Sequence, residues 1–180
     1  MYIKLLGLVA TIGIEKGLKF DADERMKKTL TEAAAVANGT ARAIIFKSRE
    51  KEAFLYENSY WSSGFIGGSH EWLRNGGDGG RNLDARTRFF YVATVNTPAM
   101  VLKMIGKGSQ YALSAQDKNG AYLDGGKNYR LNIPANVPAK DFWSVVVYDP
   151  QSRSELRTNQ AFPSKNSKRD NLTVNEDGSV

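Results

Sequence analysis

Two neighbouring stretches decide the predicted fold of this 180-residue chain: AYLDGGKNYRLNIP (residues 121–134) and DFWSVVVYD (residues 141–149). Both are rich in β-branched and aromatic residues, and turn-forming residues bound them, which is typical of strands. QYALSAQD (residues 110–117) has the same character, and Lys118-Asn119-Gly120 supplies the turn that follows it. Strands at this spacing predict an antiparallel β-sandwich or a jelly-roll-like sheet in the second half of the chain.

The final residues, NLTVNEDGSV (residues 171–180), continue this strand pattern to the end of the sequence. Leu172 and Val174 alternate with polar neighbours, and residues 175–178 have the composition of a turn. Residues 179–180 then begin a returning strand. An arm of two residues pairs almost nothing, so we expect the sheet to be incomplete at the C-terminus.

Upstream, DADERMKKTLTEAAAVANGTARAIIFKSR (residues 21–49) predicts a helix of about 25 residues, with Asp21 as its N-cap and Glu24 completing a capping box. An alanine-rich stripe follows one face of this helix. Small residues there allow close approach, so we expect the stripe to pack on a sheet edge or on a second protomer. The stripe consists of Met26, Leu30, Ala33, Ala37, Ala41 and Ile44 or Ile45.

Three other segments complete the first half of the chain. The apolar start, MYIKLLGLVATIGIEKG (residues 1–17), is interpreted as a core segment, because it lacks a convincing signal-peptide cleavage site. Residues 54–84 read as a long loop of aromatics and glycines, either functional or simply pinned by Tyr60, Trp61 and Trp72. Residues 86–104 are compatible with helix or strand, and we interpret them as a helix and then a short second helix, divided at Pro98.

Composition limits the possible chemistry. The net charge of +6 comes from scattered basic residues, which favours a solvated surface over a nucleic-acid interface. The chain has no cysteine and one histidine, His70, so zinc sites of the usual ligand types are not predicted. His70 lies in a glycine-rich turn and is interpreted as exposed or bonded to backbone. We predict no metal site and no cofactor, and no segment is long enough to span a membrane.

Several motifs together resemble a known arrangement. They are LDGGKNYRL (residues 123–131), PAKDFWSVVVYD (residues 138–149), SRSEL (residues 152–156) and the terminal N-x-DGSV. With GIEKGLKFDAD and NLDARTRFFYVAT upstream, the chain resembles tandem bacterial proteins made of the domain-of-unknown-function families 1254 and 1214. Residues 1–105 are similar to the end of the first type, and residues 106–180 to the start of the second.

The resemblance implies β-sandwich or jelly-roll modules with helical insertions, and homo-oligomeric members that are exported or periplasmic in their full length. Those proteins continue beyond both ends of the present sequence, so we expect a fragment or a shortened form. As written, the chain is expected in the cytoplasm, because it carries no convincing signal. The predicted class is α+β: an alanine-rich helix and a helical insertion, then an incomplete antiparallel sheet.

A candidate ligand site comes from the predicted strands. Lys127 and Tyr129 share one face, and with a nearby tryptophan they suit an anionic or carbohydrate-like ligand. The alternative is a lysine stretched along the surface beside a core tyrosine. An arginine in the following loop suits a carboxylate or a surface ion pair. The predicted ligand-binding residues are Trp61, Lys127, Tyr129, Trp143 and Arg153.

Two functions of different classes remain open. The first is a non-catalytic ligand-binding or assembly module that forms a homo-oligomer and takes a small polar or anionic ligand. The second is an enzyme acting on a small polar or acidic substrate through Lys127, Tyr129 and Arg153. The sequence favours the first, since it shows no nucleophile–base pair and no metal-ligand spacing, and no catalytic residue is predicted.

Overall fold

The computed structural model of the chain describes the backbone of residues 2–180 and the side chains from residue 5 onward. Helices come first and strands follow, so the mixed helix-and-strand class is confirmed. Three single 3₁₀ turns, at Lys51–Ala53, Ile66–Gly68 and Asn75–Gly77, lie between the second and third helices. The regular elements are α1 (Tyr2–Ala10), α2 (Glu24–Phe46), α3 (Leu83–Val92), α4 (Pro98–Val101), β1 (Ser144–Val146) and β2 (Ser164–Asn166).

Helix α2 confirms the long helix predicted from residues 21–49, although its cap differs. The carboxylate of Asp23 accepts a hydrogen bond from the Met26 backbone N–H at 2.7 Å, so Asp23 and not Asp21 is the N-cap. Either aspartate satisfies the sequence rule, and the helix begins after the second one because Asp23 takes the extended backbone that a cap requires.

For the described side chains, residues 5–17, the N-terminal helix contradicts the prediction of a core segment; residues 1–4 of that prediction lie outside the described side chains. The side chains of Leu5, Leu6 and Leu8 are exposed, at 61%, 57% and 66% of their full accessible surface. Residues 31–40 of α2 are likewise exposed without exception. We name the side chains of residues 5–40 the helical arm, because most of them are exposed and none is fully buried.

Helices α3 and α4 confirm the division at Pro98. Helix α3 starts with Asn82, whose side-chain oxygen accepts the Ala85 N–H at 3.0 Å. Thr97 is extended, as the residue before a proline tends to be, and α4 begins at Pro98. The proline sits in the first helical turn, where its missing N–H costs no hydrogen bond.

The hydrophobic core lies between α3 and the loop that precedes it. Trp72 stacks on Phe65 with ring centroids 6.3 Å apart, and Phe89 lies 4.6 Å from Phe65 and 5.3 Å from Trp72. This aromatic contact pins the loop of residues 54–84 to the body, as one of its two readings predicted. We name these buried side chains the aromatic body: Ala53, Ile66, Trp72, Ala85 and Phe89.

The second half of the chain holds less regular structure than predicted. In residues 2–180, β1 and β2 form one antiparallel two-stranded sheet, with Val145 opposite Lys165, and the sheet is not closed. The sandwich or jelly roll is therefore not confirmed. Isolated β-bridges lie outside this sheet. One of them pairs Gln116 with Tyr122 around the predicted turn at residues 118–120.

The C-terminal turn is confirmed, and the residues that follow it are paired with another part of the chain. Gly178 has a φ of 80°, and its N–H donates to the Asn175 carbonyl at 2.9 Å. Val180 then exchanges two backbone hydrogen bonds with Ile133, at 2.7 and 2.9 Å. The expectation that the last two residues pair almost nothing is wrong, because a distant strand-like segment supplies their partner.

Candidate functional site

The five predicted ligand-binding residues differ in burial and make no recorded contact with one another among the described side chains. Trp61 and Trp143 are half-buried, whereas Lys127, Tyr129 and Arg153 are exposed. Residues 127–132 form no strand, so the face shared by Lys127 and Tyr129 is not set by a sheet. Among the side chains from residue 5 onward, no hydrogen bond, ion pair or aromatic contact joins any two of the five. Their grouping in one pocket stays a prediction.

Local contacts account for three of these residues. The Tyr129 hydroxyl accepts the Asp124 N–H at 2.8 Å, and the Lys127 N–H donates to the Asp124 carbonyl at 3.0 Å. The backbone N–H of Trp143 donates to the Ser167 hydroxyl at 3.0 Å. Tyr129 and Lys127 therefore belong to a turn around Asp124, and Trp143 belongs to the end of the small sheet.

Arg153 meets a residue that sequence reasoning did not select. Its guanidinium carbon lies 4.6 Å from the centroid of the Tyr91 ring, within the range of cation–π attraction. Arg153 takes a left-handed backbone, with φ of 61°, at the tip of the hairpin that joins Tyr148 to Glu155. The hairpin tip, residues 149–154, thus docks on helix α3.

Arg42 of helix α2 also contacts the hairpin tip. One of its guanidinium nitrogens donates to the Pro150 carbonyl at 3.1 Å and to the Gln151 side chain at 3.2 Å. The same nitrogen lies 3.4 Å from the Tyr91 hydroxyl, and the guanidinium carbon is 5.2 Å from the Phe46 ring centroid. Arg42 therefore ties α2, α3 and the hairpin together.

The hairpin tip is shaped by Asp149. Its carboxylate accepts hydrogen bonds from the Ser152 hydroxyl at 2.6 Å and from the backbone N–H groups of Gln151 and Ser152. The Ser152 hydroxyl, followed by these two N–H groups, lowers the pKa of the Asp149 carboxyl, because each bond favours its charged form. Asp149 is thereby engaged within the tip.

A groove opens beside Tyr91 on the outer face of α3. Its volume is about 540 Å³, and it is a shallow depression that is widely open to solvent. The apolar part of the lining comes mainly from side chains spaced three and four residues apart on α3, and Ala41 of α2 adds a wall. The lining residues are Ala41, Leu83, Arg86, Thr87, Phe90 and Tyr91.

A second arginine of α3 points the opposite way, into the body. Arg88 is 3% exposed and donates to the Ser62 hydroxyl at 2.6 Å and to the Ser63 carbonyl. Burial lowers the pKa of the Arg88 guanidinium to about 10. Its Nε finds no partner among the described residues, and neither does the buried indole N–H of Trp72. Arg88 serves as an internal anchor for the loop.

The helical arm is one of several uncovered surfaces of the chain. The chain of 19.9 kDa exposes 14781 Å² of accessible surface, whereas a closed monomer of that mass exposes about 8,700 Å². Uncovered apolar side chains contribute to the difference at both ends of the arm. They include Leu5, Leu6, Leu8, Ile14, Leu18, Phe20 and Val36.

Sequence reasoning missed Arg42 and Tyr91 because nothing local marks them. For Tyr91, the one available signal is the run RTRFFY (residues 86–91), in which two arginines are followed by three consecutive aromatic residues. On a helix this run places Arg86 and Arg88 on different faces. The sequence offers no means of telling which arginine is buried and which lines a groove.

Within the described residues, no group of three or more acidic or histidine side chains could hold a metal ion. None of the described helices combines the length and the apolar character needed to cross a membrane.

Comparison with known proteins yields one family. The sequence profile of a family described as "Protein of unknown function (DUF1214)" matches residues 108–180. This range contains the small sheet, the hairpin tip with Arg153, and the C-terminal pairing of Val180 with Ile133. The resemblance to the 1214 family is thus supported for this part of the chain. A search of curated proteins finds no match to the sequence.

Proposed function

We propose that the chain is a non-catalytic assembly and binding module whose helical arm binds a second copy of the same chain. The observation that carries this proposal is the complete exposure of residues 31–40 of α2. A 23-residue helix packed on its own domain would bury a stripe along its length. Here α3 covers only the C-terminal turns, which include the buried Ile45.

The exposed area of the chain is large enough to accommodate a second copy as a partner. The surface in excess of a closed monomer is roughly 6,000 Å², and a typical interface removes about 800 Å² from each partner. A dimer built on the arm therefore needs only a fraction of what the chain exposes. Apolar side chains at 57–66% exposure on α1 add to the driving force for association.

The order of residues along the stripe suits a second copy. Ala33 and Ala37 flank the midpoint of α2, and larger side chains, Met26 and Ile44, lie toward its ends. A two-fold axis near residue 35 would set Ala33 of one copy opposite Ala37 of the other. Two antiparallel helices can then approach closely at the centre, and the same surface serves both copies.

A matched pair of variants tests this proposal. Ala37→Glu places a charge in the stripe, whereas Ala35→Glu places the same charge roughly 160° away around the helix. Both positions are exposed, and glutamate is a good helix former. Sedimentation velocity should show self-association of the unmodified chain and of Ala35→Glu, and a shift of Ala37→Glu toward monomer.

Two results would reject the assembly role. One is a monomeric unmodified chain at a concentration of about 100 μM, well above the dissociation constant of a stable dimer. The other is equal behaviour of the two variants. The alternative function, an enzyme acting on a small polar or acidic substrate through Lys127, Tyr129 and Arg153, gains no contact in its favour, because Arg153 lies on Tyr91.

A further inference from the structure

The groove beside Tyr91 is a candidate ligand site that shares only Ala41 with the alanine-rich stripe of the assembly proposal. Leu83, Arg86, Thr87, Phe90 and Tyr91 follow one another at helical spacing, so they share one face of α3. Leu83 is 63% exposed and Phe90 is 41% exposed. These two apolar side chains lie two turns apart and border an open, concave surface.

Positive charge gathers at this groove. Arg86 is exposed, its guanidinium carbon lies 5.9 Å from the Phe90 ring centroid, and it makes no ion pair within 4.0 Å among the described side chains. The guanidinium of Arg42 reaches the Tyr91 hydroxyl, and that of Arg153 covers the Tyr91 ring. Arg86 therefore lines the groove, and two further arginines contact Tyr91 at its border.

Carboxylates that would neutralise this charge are engaged elsewhere or lie outside the lining. Asp149 accepts three hydrogen bonds within the hairpin tip. Asp84, in the first turn of α3, is not among the residues that line the groove. The groove thus offers a free guanidinium at the edge of an apolar surface, an arrangement that favours an anion with a hydrophobic body.

The geometry points to a binding site for a flat, hydrophobic organic monocarboxylate on the outer face of α3. The ring system lies between Leu83 and Phe90. The carboxylate accepts hydrogen bonds from the Arg86 guanidinium and from the Tyr91 hydroxyl. Inorganic phosphate is a poorer occupant, because the apolar walls offer few donors to replace its water and one free guanidinium balances one charge.

A charged and neutral pair of probes tests the site. 2-Naphthoate carries the required ring and carboxylate, and 2-naphthamide has the same ring and nearly the same shape without the charge. Isothermal titration of the full chain should show naphthoate binding at least about tenfold more tightly than naphthamide. Equal affinity of the two probes, or no naphthoate binding up to about 10 mM, would overturn the proposal.

Variants locate the binding. Arg86→Gln should remove the preference for naphthoate, and Leu83→Ser should weaken both probes. Arg25→Gln is the control, since it deletes the same charge from an exposed position of α2, about 24 Å along the helix from Ala41. Unchanged binding by Arg86→Gln, or equal losses in Arg86→Gln and Arg25→Gln, would also overturn it.

Self-association is separated from ligand binding by one further titration. The Leu30→Glu variant, which also places a charge in the stripe, should bind naphthoate as the unmodified chain does, because residue 30 lies about 16 Å along the helix from Ala41. Loss of binding in this variant would show that the probe occupies the assembly surface, and would reject the groove on α3 as the site.

Discussion

The aromatic body and the helical arm both carry large apolar side chains, yet only those of the body are buried. Trp72 and Phe89 expose 3% and 5% of their surface, whereas Val36 in the arm exposes 69%. In the body, large rings from distant segments touch one another and hold an irregular backbone. In the arm, capping and helix-forming residues build a regular helix that has little to rest on. A regular helix therefore does not ensure burial in this chain, because α3 contributes Ala85 and Phe89 to the body whereas residues 31–40 of α2 stay exposed.

The sharpest test of this contrast is to truncate one side chain in each region. Phe89→Ala removes a ring that contacts Phe65, Trp72 and Phe90, and should lower the free energy of unfolding by about 3–5 kcal/mol. Val36→Ala, in the exposed arm, should change it by no more than about 0.5 kcal/mol. Urea unfolding followed by tryptophan fluorescence measures both, and similar losses would break the contrast.

A glycine that joins the body to the second half of the chain gives the next effect. A Cβ on Gly120 would lie 2.6 Å from the Tyr60 hydroxyl, and Gly120 has a φ of 79°. Gly120→Ala should therefore lower the melting temperature clearly, by the equivalent of about 1–3 kcal/mol.

Gly125→Ala is the control for that change, because a Cβ there meets nothing within 4 Å. If the two alanine variants have the same melting temperature, the close approach of Tyr60 to the turn at residues 118–120 does not constrain the protein in solution. In that case the body extends less far than the structure shows.

The smallest effect concerns the cap of the arm. Asp23→Ala removes the acceptor for the Met26 N–H and should cost about 1 kcal/mol of local helix stability. Asp21→Ala should cost little, because α2 begins after Asp23. Amide hydrogen exchange in the first turns of α2 distinguishes the two, and faster exchange in Asp21→Ala alone would restore the cap first predicted.

Features set by neighbours in sequence could be predicted. The long helix, the division at Pro98 and the turns that contain Gly120 and Gly178 all depend on local backbone preferences. Burial could not be predicted in the same way. The leucines of α1 look like core residues, but their exposure depends on which other segments reach them, and periodicity carries no such information.

The site shows the same limit. The pattern identified Arg153 as a residue suited to a carboxylate, and the structure places it on Tyr91 instead. Arg86 and Arg88 are two residues apart, yet one lines a groove and the other is 3% exposed. Their difference comes from α3 packing on Ser62 and Ser63, a contact between segments about 25 residues apart.

The docking of the hairpin tip on α2 has a kinetic consequence. The bond from Arg42 to the Pro150 carbonyl closes a loop of 108 residues. Closing it costs about 2 kcal/mol more in chain entropy than closing the short loop that pairs Phe54 with Ser62. The hairpin tip should therefore arrive after the aromatic body has condensed. The contact between the hairpin tip and Arg42 should also be the first to open in local unfolding. This opening would uncover Tyr91 while Trp72 and Phe89 stay packed.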